Sequence, residues 1–324
     1  MVKSIKKIPK PADILKVKKV ILKKYQLVVE KDFDTFTKEK GNKDVSLCRA
    51  KQIGRVILRI GEARPADFFP QGYRGGLLVI PRLYQIVAGD IPFEIEEYIK
   101  GPYVAGAGGT SASPDGKLKP ELLAKLINVF WEFQIIAADI HLEPLFSKNK
   151  ILDHLKIAEK HLENFSAVKS VVDSHKDFWK GKFPSKWKFA TDNLILTDSG
   201  KIAFIDLGHV GLRYWGYDLG WLIWPRWVEM ETKYYNDVSG YIDYLDNFNK
   251  IISDTAPDNF FHKKNIISWF WLVIIERAIG ALFDIENNTK HLKEWRLDKR
   301  GDQKRRRAHI NFINKLLKVS LART

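Results

Sequence analysis

Two hydrophobic periods divide the chain. From Tyr25 to about Lys100, apolar residues alternate or run in strand-length blocks: Tyr25, Leu27 and Val29; Val45 and Leu47; Val56 to Ile60 around Arg59; Leu77 to Ile80; and Phe93 to Ile99. Gly41, Gly54, Gly61, Gly89 and Gly101 punctuate these runs, so the pattern predicts strands joined by turns. From Pro120 the period changes. Leu122, Leu123, Leu126, Ile127, Phe130, Phe133 and Ile136 recur mostly three and four residues apart, which predicts an amphipathic helix ending near His141. Further helices are predicted within 151–176, from near Asp218, and over 238–253, 263–285 and 303–322. One hairpin interrupts them: Leu194-Ile195-Leu196, the turn Asp198-Ser199-Gly200, then Ile202 to Ile205, with Gly200 supplying the positive φ of the turn.

This order predicts an α+β fold of two lobes, a bilobal arrangement with a β-rich N-lobe and a mainly helical C-lobe. The boundaries read as a basic extension over 1–24, the N-lobe over 25–100, and the C-lobe over 101–324 with the hairpin at 193–206 and a basic tail. The small-residue stretch Ala105 to Gly116 lacks the lysine and helix start of a P-loop and reads first as a flexible connection, with a ligand-contacting loop as the alternative.

Composition narrows the classes. The single cysteine, Cys48, excludes an internal disulfide framework and a multi-cysteine metal site. The N-terminus is basic without the continuous apolar stretch of a signal peptide. The most apolar window, Ile266 to Ile275, stops at Glu276 and Arg277, too short to span a membrane, and reads as a buried helix. A soluble cytoplasmic protein is the expectation. The formal net charge of +15 concentrates in the first two dozen residues and in Arg296 to Arg307. Such runs are either solvated faces or docking sites for an anionic partner: a nucleic acid, a phosphorylated substrate or an acidic membrane surface. No helix-turn-helix, zinc-finger or RNP-type motif accompanies the charge, so sequence-specific nucleic-acid binding is unsupported.

The candidate chemistry lies around the hairpin. Asn193 precedes its first strand and Asp206 follows its second, an arrangement that offers two oxygen ligands to a divalent cation. The plainer readings are a turn or cap residue for Asn193 and an Asx turn for Asp206. Asp218, ahead of Leu219-Gly220-Trp221-Leu222, reads most simply as a helix N-cap.

These motifs in this order resemble the aminoglycoside and choline phosphotransferases, relatives of the protein kinases. That family carries H-G-D-x-x-x-x-N, a hairpin, I-D, and D-L about a dozen residues on; here stand Asn193, Ile205-Asp206 and Tyr217-Asp218-Leu219. His141 sits where the family often has Leu-His. The resemblance implies ATP and Mg2+ as cofactors. Gly41 and Asn42 would lie in the nucleotide-covering hairpin, and Arg59 would meet the nucleotide phosphates. The backbone from Glu97 to Ile99 would face the adenine, and Asn193 with Asp206 would hold the metal. Asp218 would brace the catalytic loop. The acid that usually pairs with Arg59 from a helix has no clear counterpart, since only Glu62 and Asp67 lie between Arg59 and Pro81. Arg59 equally reads as a solvent-facing strand residue.

One position departs from the family. The H-G-D triplet reads Lys186-Trp187-Lys188, so Lys188 stands where the catalytic aspartate belongs. A lysine is protonated at neutral pH and cannot accept a hydroxyl proton unless burial lowers its pKa. Its charge could instead meet a phosphate, or it is a solvated loop residue. Asp192 is the one substitute acid nearby. Three readings follow: a pseudokinase that binds ATP, an active phosphotransferase with a rearranged base, and a basic binding module for an anionic partner.

Overall fold

The computed structural model describes residues 11–33, 44–61, 72–104, 118–138, 140–145, 148–187, 189, 193–208, 210–228, 237–287 and 303–324. The chain forms two compact units. One comprises the chain up to Pro102 together with Ile195–Val210; the other comprises Tyr103–Leu194 and Gly211–Thr324.

The first unit opens with helix α1 (Pro11–Lys24), followed by strands β1 (Leu27–Phe33), β2 (Asp44–Ala50), β3 (Gly54–Ile60), β4 (Leu78–Val79), β5 (Leu83–Val87) and β6 (Phe93–Glu97). Five of the strands form an antiparallel sheet in the order β1-β2-β3-β6-β5. Strand alternation puts Val56, Leu58 and Ile60 on one face of β3, where all three are fully buried. They join Ile14 and Ile21 of α1, Leu27, Cys48, Ala50, Phe93 and Ile95 in one core. Ile57 and Arg59 are left on the opposite face. Lys18 turns from α1 into this unit and donates to Asp32 Oδ1 (2.7 Å) and Asp44 Oδ2 (3.1 Å). Burial alone would lower its pKa; the two carboxylates outweigh it and raise it.

The hairpin strands appear as read from the sequence. β8 (Leu194–Leu196) and β9 (Ile202–Phe204) form a small sheet with β4 in the order β4-β9-β8. Their turn closes through Gly200 N to Thr197 O (2.9 Å) and Thr197 N to Lys201 O (2.9 Å), with Gly200 at φ +75°.

The second unit is mainly helical: α2 (Pro120–Ile136), α3 (Lys148–Ala158), α4 (Phe165–Ser174), α5 (Tyr217–Val228), α6 (Val238–Thr255), α7 (Ile266–Asn287) and α8 (Gln303–Leu321). A two-stranded ribbon of β7 (Phe183–Ser185) and β10 (Gly211–Arg213) accompanies them. Asn164 caps α4 through Ala167 N, and Asp237 caps α6 through Gly240 N. α7 is the central helix, packed against α3, α5, α6 and α8.

The sequence reading of α7 as too short for a membrane is corrected. The helical segment Lys263–Glu286 is long and apolar enough to cross one by length and composition, and 67% of its most apolar window is buried inside the fold. Arg277 Nη2 meets Glu276 Oε2 at 2.5 Å, so the two charges that seemed to end the segment neutralise each other within it. Its buried run from Phe270 to Ile275, with Ala278, Ile279 and Leu282, makes it a core helix here.

Candidate functional site

In the first unit the site begins with the pairing of two strands. β3 and β6 place Arg59 opposite Glu94, and alternation puts Ile57, Arg59, Glu94 and Glu96 on one face. Arg59 Nε and Nη2 both lie 2.9 Å from Glu96 Oε1, and Nε lies 3.5 Å from Glu94 Oε1. The two glutamates are each 2% exposed, so the guanidinium is the counter-charge that makes their burial tolerable. Burial alone would lower the pKa of Arg59. The carboxylates of Glu96, Glu94 and Asp206 outweigh it and fix the charge. Nη1 of Arg59 has no partner among the described residues. The guanidinium is thus gripped along its Nε–Nη2 edge, and its Nη1 end keeps donors for another anion.

Asp206 lies two residues beyond β9 at φ +58°, a left-handed conformation that aspartate tolerates better than bulkier residues. It is half-buried and its charge is felt by Arg59. Beside it, Val79, Ile195 and Ala203 form an apolar cluster onto which half-buried Ile99 and Ile205 pack. The segment from Glu97 to Ile99 leaves β6 here. Glu97 N donates to Arg82 O (2.8 Å), and its carboxylate accepts from Arg82 N (3.0 Å) and Arg74 Nη2 (2.5 Å). Tyr98 N reaches Arg55 O at 3.4 Å, whereas Ile99 N has no hydrogen-bond partner among the described residues. Gly101 allows this segment to pass close to β8: at φ +151°, an added Cβ would stand 2.1 Å from Leu196 O.

In the second unit Asp218 organises the segment before Lys188. Its carboxylate accepts from Ser185 Oγ (2.9 Å), Lys186 N (2.7 Å) and Trp187 N (3.1 Å). Trp187 N also reaches Ser185 Oγ (3.1 Å), and Arg213 Nη1 donates to the same hydroxyl (3.3 Å). Asp218 is 1% exposed; burial pushes its carboxyl pKa up against the pull of these donors. The N-cap reading is therefore corrected. Asp218 is the second residue of α5 and its side chain braces another loop. Trp187 sits at φ +63°, in the left-handed region that favours glycine. The resemblance read in the sequence sets Trp187 against the glycine of H-G-D. Lys186 and Phe189, on either side, are fully buried.

Asn193 lies immediately before β8 and is half-buried. His141 is exposed. Gly41, Asn42, Lys188 and Asp192 lie outside the described residues, as do Glu62 and Asp67. Among the described residues, no group of three or more His, Cys, Asp or Glu could hold a metal ion. The structure brings Arg59 into the field of Asp206. It also adds Glu94 and Glu96, which sequence reasoning passed over. Their signal was present: two acids on one face of a strand whose other face is Phe93 and Ile95 demand a cation opposite. Ser185 carried no comparable signal.

No family model matches the sequence, and no curated protein matches it. Solved structures do. A thermostable mutant of an aminoglycoside phosphotransferase, in ternary complex with ADP and hygromycin B, matches with a TM-score of 0.52 at 12% identity, covering 93% of this chain and 98% of the other. Amicoumacin kinase in complex with AMP-PNP, Ca2+ and Ami matches with a TM-score of 0.53 at 12% identity, covering 97% and 96%. The fold is that of the kinase-like phosphotransferases: a β-rich N-terminal sheet followed by a helical C-terminal part.

Proposed function

We propose that this protein binds a nucleotide through its first unit and is a pseudokinase, a kinase-like phosphotransferase fold with little or no turnover. The observation that carries the reading is Arg59, held by Glu96 along one edge with its Nη1 end unoccupied, in the field of Asp206. A guanidinium end suits phosphate oxygens. The apolar cluster of Val79, Ile195 and Ala203, with Ile99 and Ile205 at its edge and the Ile99 N–H unpaired, suits the face and edge of a purine. ATP fits these donors and surfaces. Mg2+ would find the Asp206 carboxylate; for Asn193 as a second ligand the support is the sequence pattern alone. A bound divalent ion would neutralise phosphate charge.

Lys188 supports the pseudokinase half. A positioned general base supplies about 10²–10⁴-fold in rate, and a protonated lysine supplies none of it. The relatives in the comparison carry ADP or AMP-PNP, which agrees with nucleotide binding and says nothing of turnover here.

Thermal unfolding with ATP and Mg2+ tests the reading. A ligand at about 100 times its Kd adds about 2.7 kcal/mol to the stability of the binding state. Arg59→Ala and Asp206→Ala should each remove most of that shift. A flat response of the unaltered protein would overturn nucleotide binding. Phosphate release measured on the ATP-bound protein should be near background and should rise in Lys188→Asp. Brisk turnover by the unaltered chain would replace the pseudokinase with an active enzyme that uses another base, Asp192 being the nearest acid in sequence.

A further inference from the structure

The outward face of α1 is the strongest feature that the nucleotide reading leaves unused. At about 100° per residue, Leu15, Lys16, Lys19, Val20 and Lys23 fall within one arc of about 140°. All five are exposed, Leu15 at 55% and Val20 at 65%. The opposite arc is buried: Ile14 and Ile21 enter the core of the first unit, and Lys18 is tied to Asp32 and Asp44. The helix is therefore pinned from behind and presents a fixed surface of lysines interleaved with aliphatic side chains. Its one acid, Asp13, lies in the first turn. Over residues 1–24 the sequence has nine lysines against that single aspartate.

We propose that this face docks the protein on an anionic lipid surface. Charge complementarity requires a polyanion. The side chains favour lipid over nucleic acid. The first arginine is Arg49, so this face lacks the planar forks that suit phosphodiester recognition. Exposed Leu15 and Val20 have no use against a phosphate backbone, whereas they can enter the headgroup boundary between anchoring lysines. Each lysine held near such a surface strengthens association about fivefold. The attraction acts within about 8 Å at physiological salt, so an outward-facing rigid row is required, and α1 provides one.

The test is co-sedimentation of the full chain with phosphatidylcholine vesicles, with and without phosphatidylserine, alongside a random-sequence DNA duplex. Binding to the phosphatidylserine vesicles alone, weakened by salt, is expected. Lys16→Glu/Lys19→Glu/Lys23→Glu should reduce it at least about a hundredfold. Leu15→Ser/Val20→Ser should weaken vesicle binding at unchanged charge and leave any DNA binding untouched. All five positions are exposed, so unchanged helical circular dichroism is expected of both variants. Vesicle binding that survives the triple variant would overturn the proposal. So would DNA binding stronger than vesicle binding and insensitive to Leu15→Ser/Val20→Ser, or no binding to either.

Discussion

At the scale of single residues, two positions are held by contacts that make substitution costly. Asp218 holds three donors with one buried carboxylate. Its raised pKa means that the charge itself costs stability at neutral pH. The native state binds its proton more readily than the unfolded chain does, so this contribution falls as pH rises from the ordinary value towards the folded one. Asp218→Asn removes that cost but also turns an amide NH2 towards at least one backbone N–H. Charge-assisted hydrogen bonds are worth about 1.5–3 kcal/mol each, and leaving donors buried adds to the loss. The donors win: Asp218→Asn should lower stability by about 2–4 kcal/mol, read as a lower urea midpoint at constant m. Gly101 is constrained by space as well as by φ. A methyl group there would meet the Leu196 carbonyl, so Gly101→Ala should cost about 3 kcal/mol or more and weaken nucleotide binding, measured by calorimetric titration. Cys48 is fully buried with its thiol pushed up to about 11. It should resist a thiol reagent at pH 8 until the first unit unfolds.

At the scale of elements, local signals carried well and long-range ones did not. The hairpin was legible because a strand-length apolar run, a turn and a glycine lie within a dozen residues, and Gly200 does adopt positive φ. β6 was legible as a strand, yet the partners of its acids were not. Arg59 and Glu96 are brought together by the β3–β6 register, which no sequence period encodes. Among the described residues the acids paired with Arg59 come from the neighbouring strand, whereas Glu62 and Asp67 lie outside those residues. The same limit hid Ser185 and the other partners of Asp218, which lie about thirty residues earlier in the chain; the resemblance had implied a bracing role for Asp218 without naming what it holds. Packing of α1 gives an element-scale prediction. Ile21→Ala removes a side chain that is 3% exposed from the main core of the first unit and should cost about 2–5 kcal/mol. A substitution on the outward arc, such as Lys23→Ala, should change stability by less than about 0.5 kcal/mol. Urea unfolding of the two variants side by side would show whether α1 is part of the first unit's cooperative core.

At the scale of the whole molecule, pH should act on both units from the same side. Asp32 in the first unit has its pKa lowered, chiefly by the hydrogen bond from Lys18, with Ser46 adding to it. Glu286 in the second unit would be raised by burial, but Lys160 and His161 hydrogen-bond to it and lower it on balance, and Arg306 also pairs with it. A carboxylate with a depressed folded pKa contributes stability that is fully present above its unfolded value and is lost as pH falls through the folded one. Both contributions therefore begin to fade near the ordinary carboxylate range of about pH 4 and are gone only below the lower folded values. Glu286 weighs more than Asp32, because its side chain is 15% exposed against 65% and is less screened by water. Lys18 works at the other end: its raised pKa gives stability that persists below the ordinary lysine value and is lost only as pH rises through the folded one. Protonation also increases a formal charge that already stands at +15, so self-repulsion grows as the ion pairs fail. Stability measured by urea should be level through neutral pH and fall steeply on the acid side. Moderate salt should recover part of the repulsive loss and none of the lost pairing. Glu286→Gln should flatten the acid limb of the second unit while lowering its stability at pH 7, because the amide leaves Lys160 and Arg306 without their counter-charge. An acid limb unchanged in that variant would show that repulsion among the lysines and arginines, not the loss of this pair, sets the acid stability of the second unit.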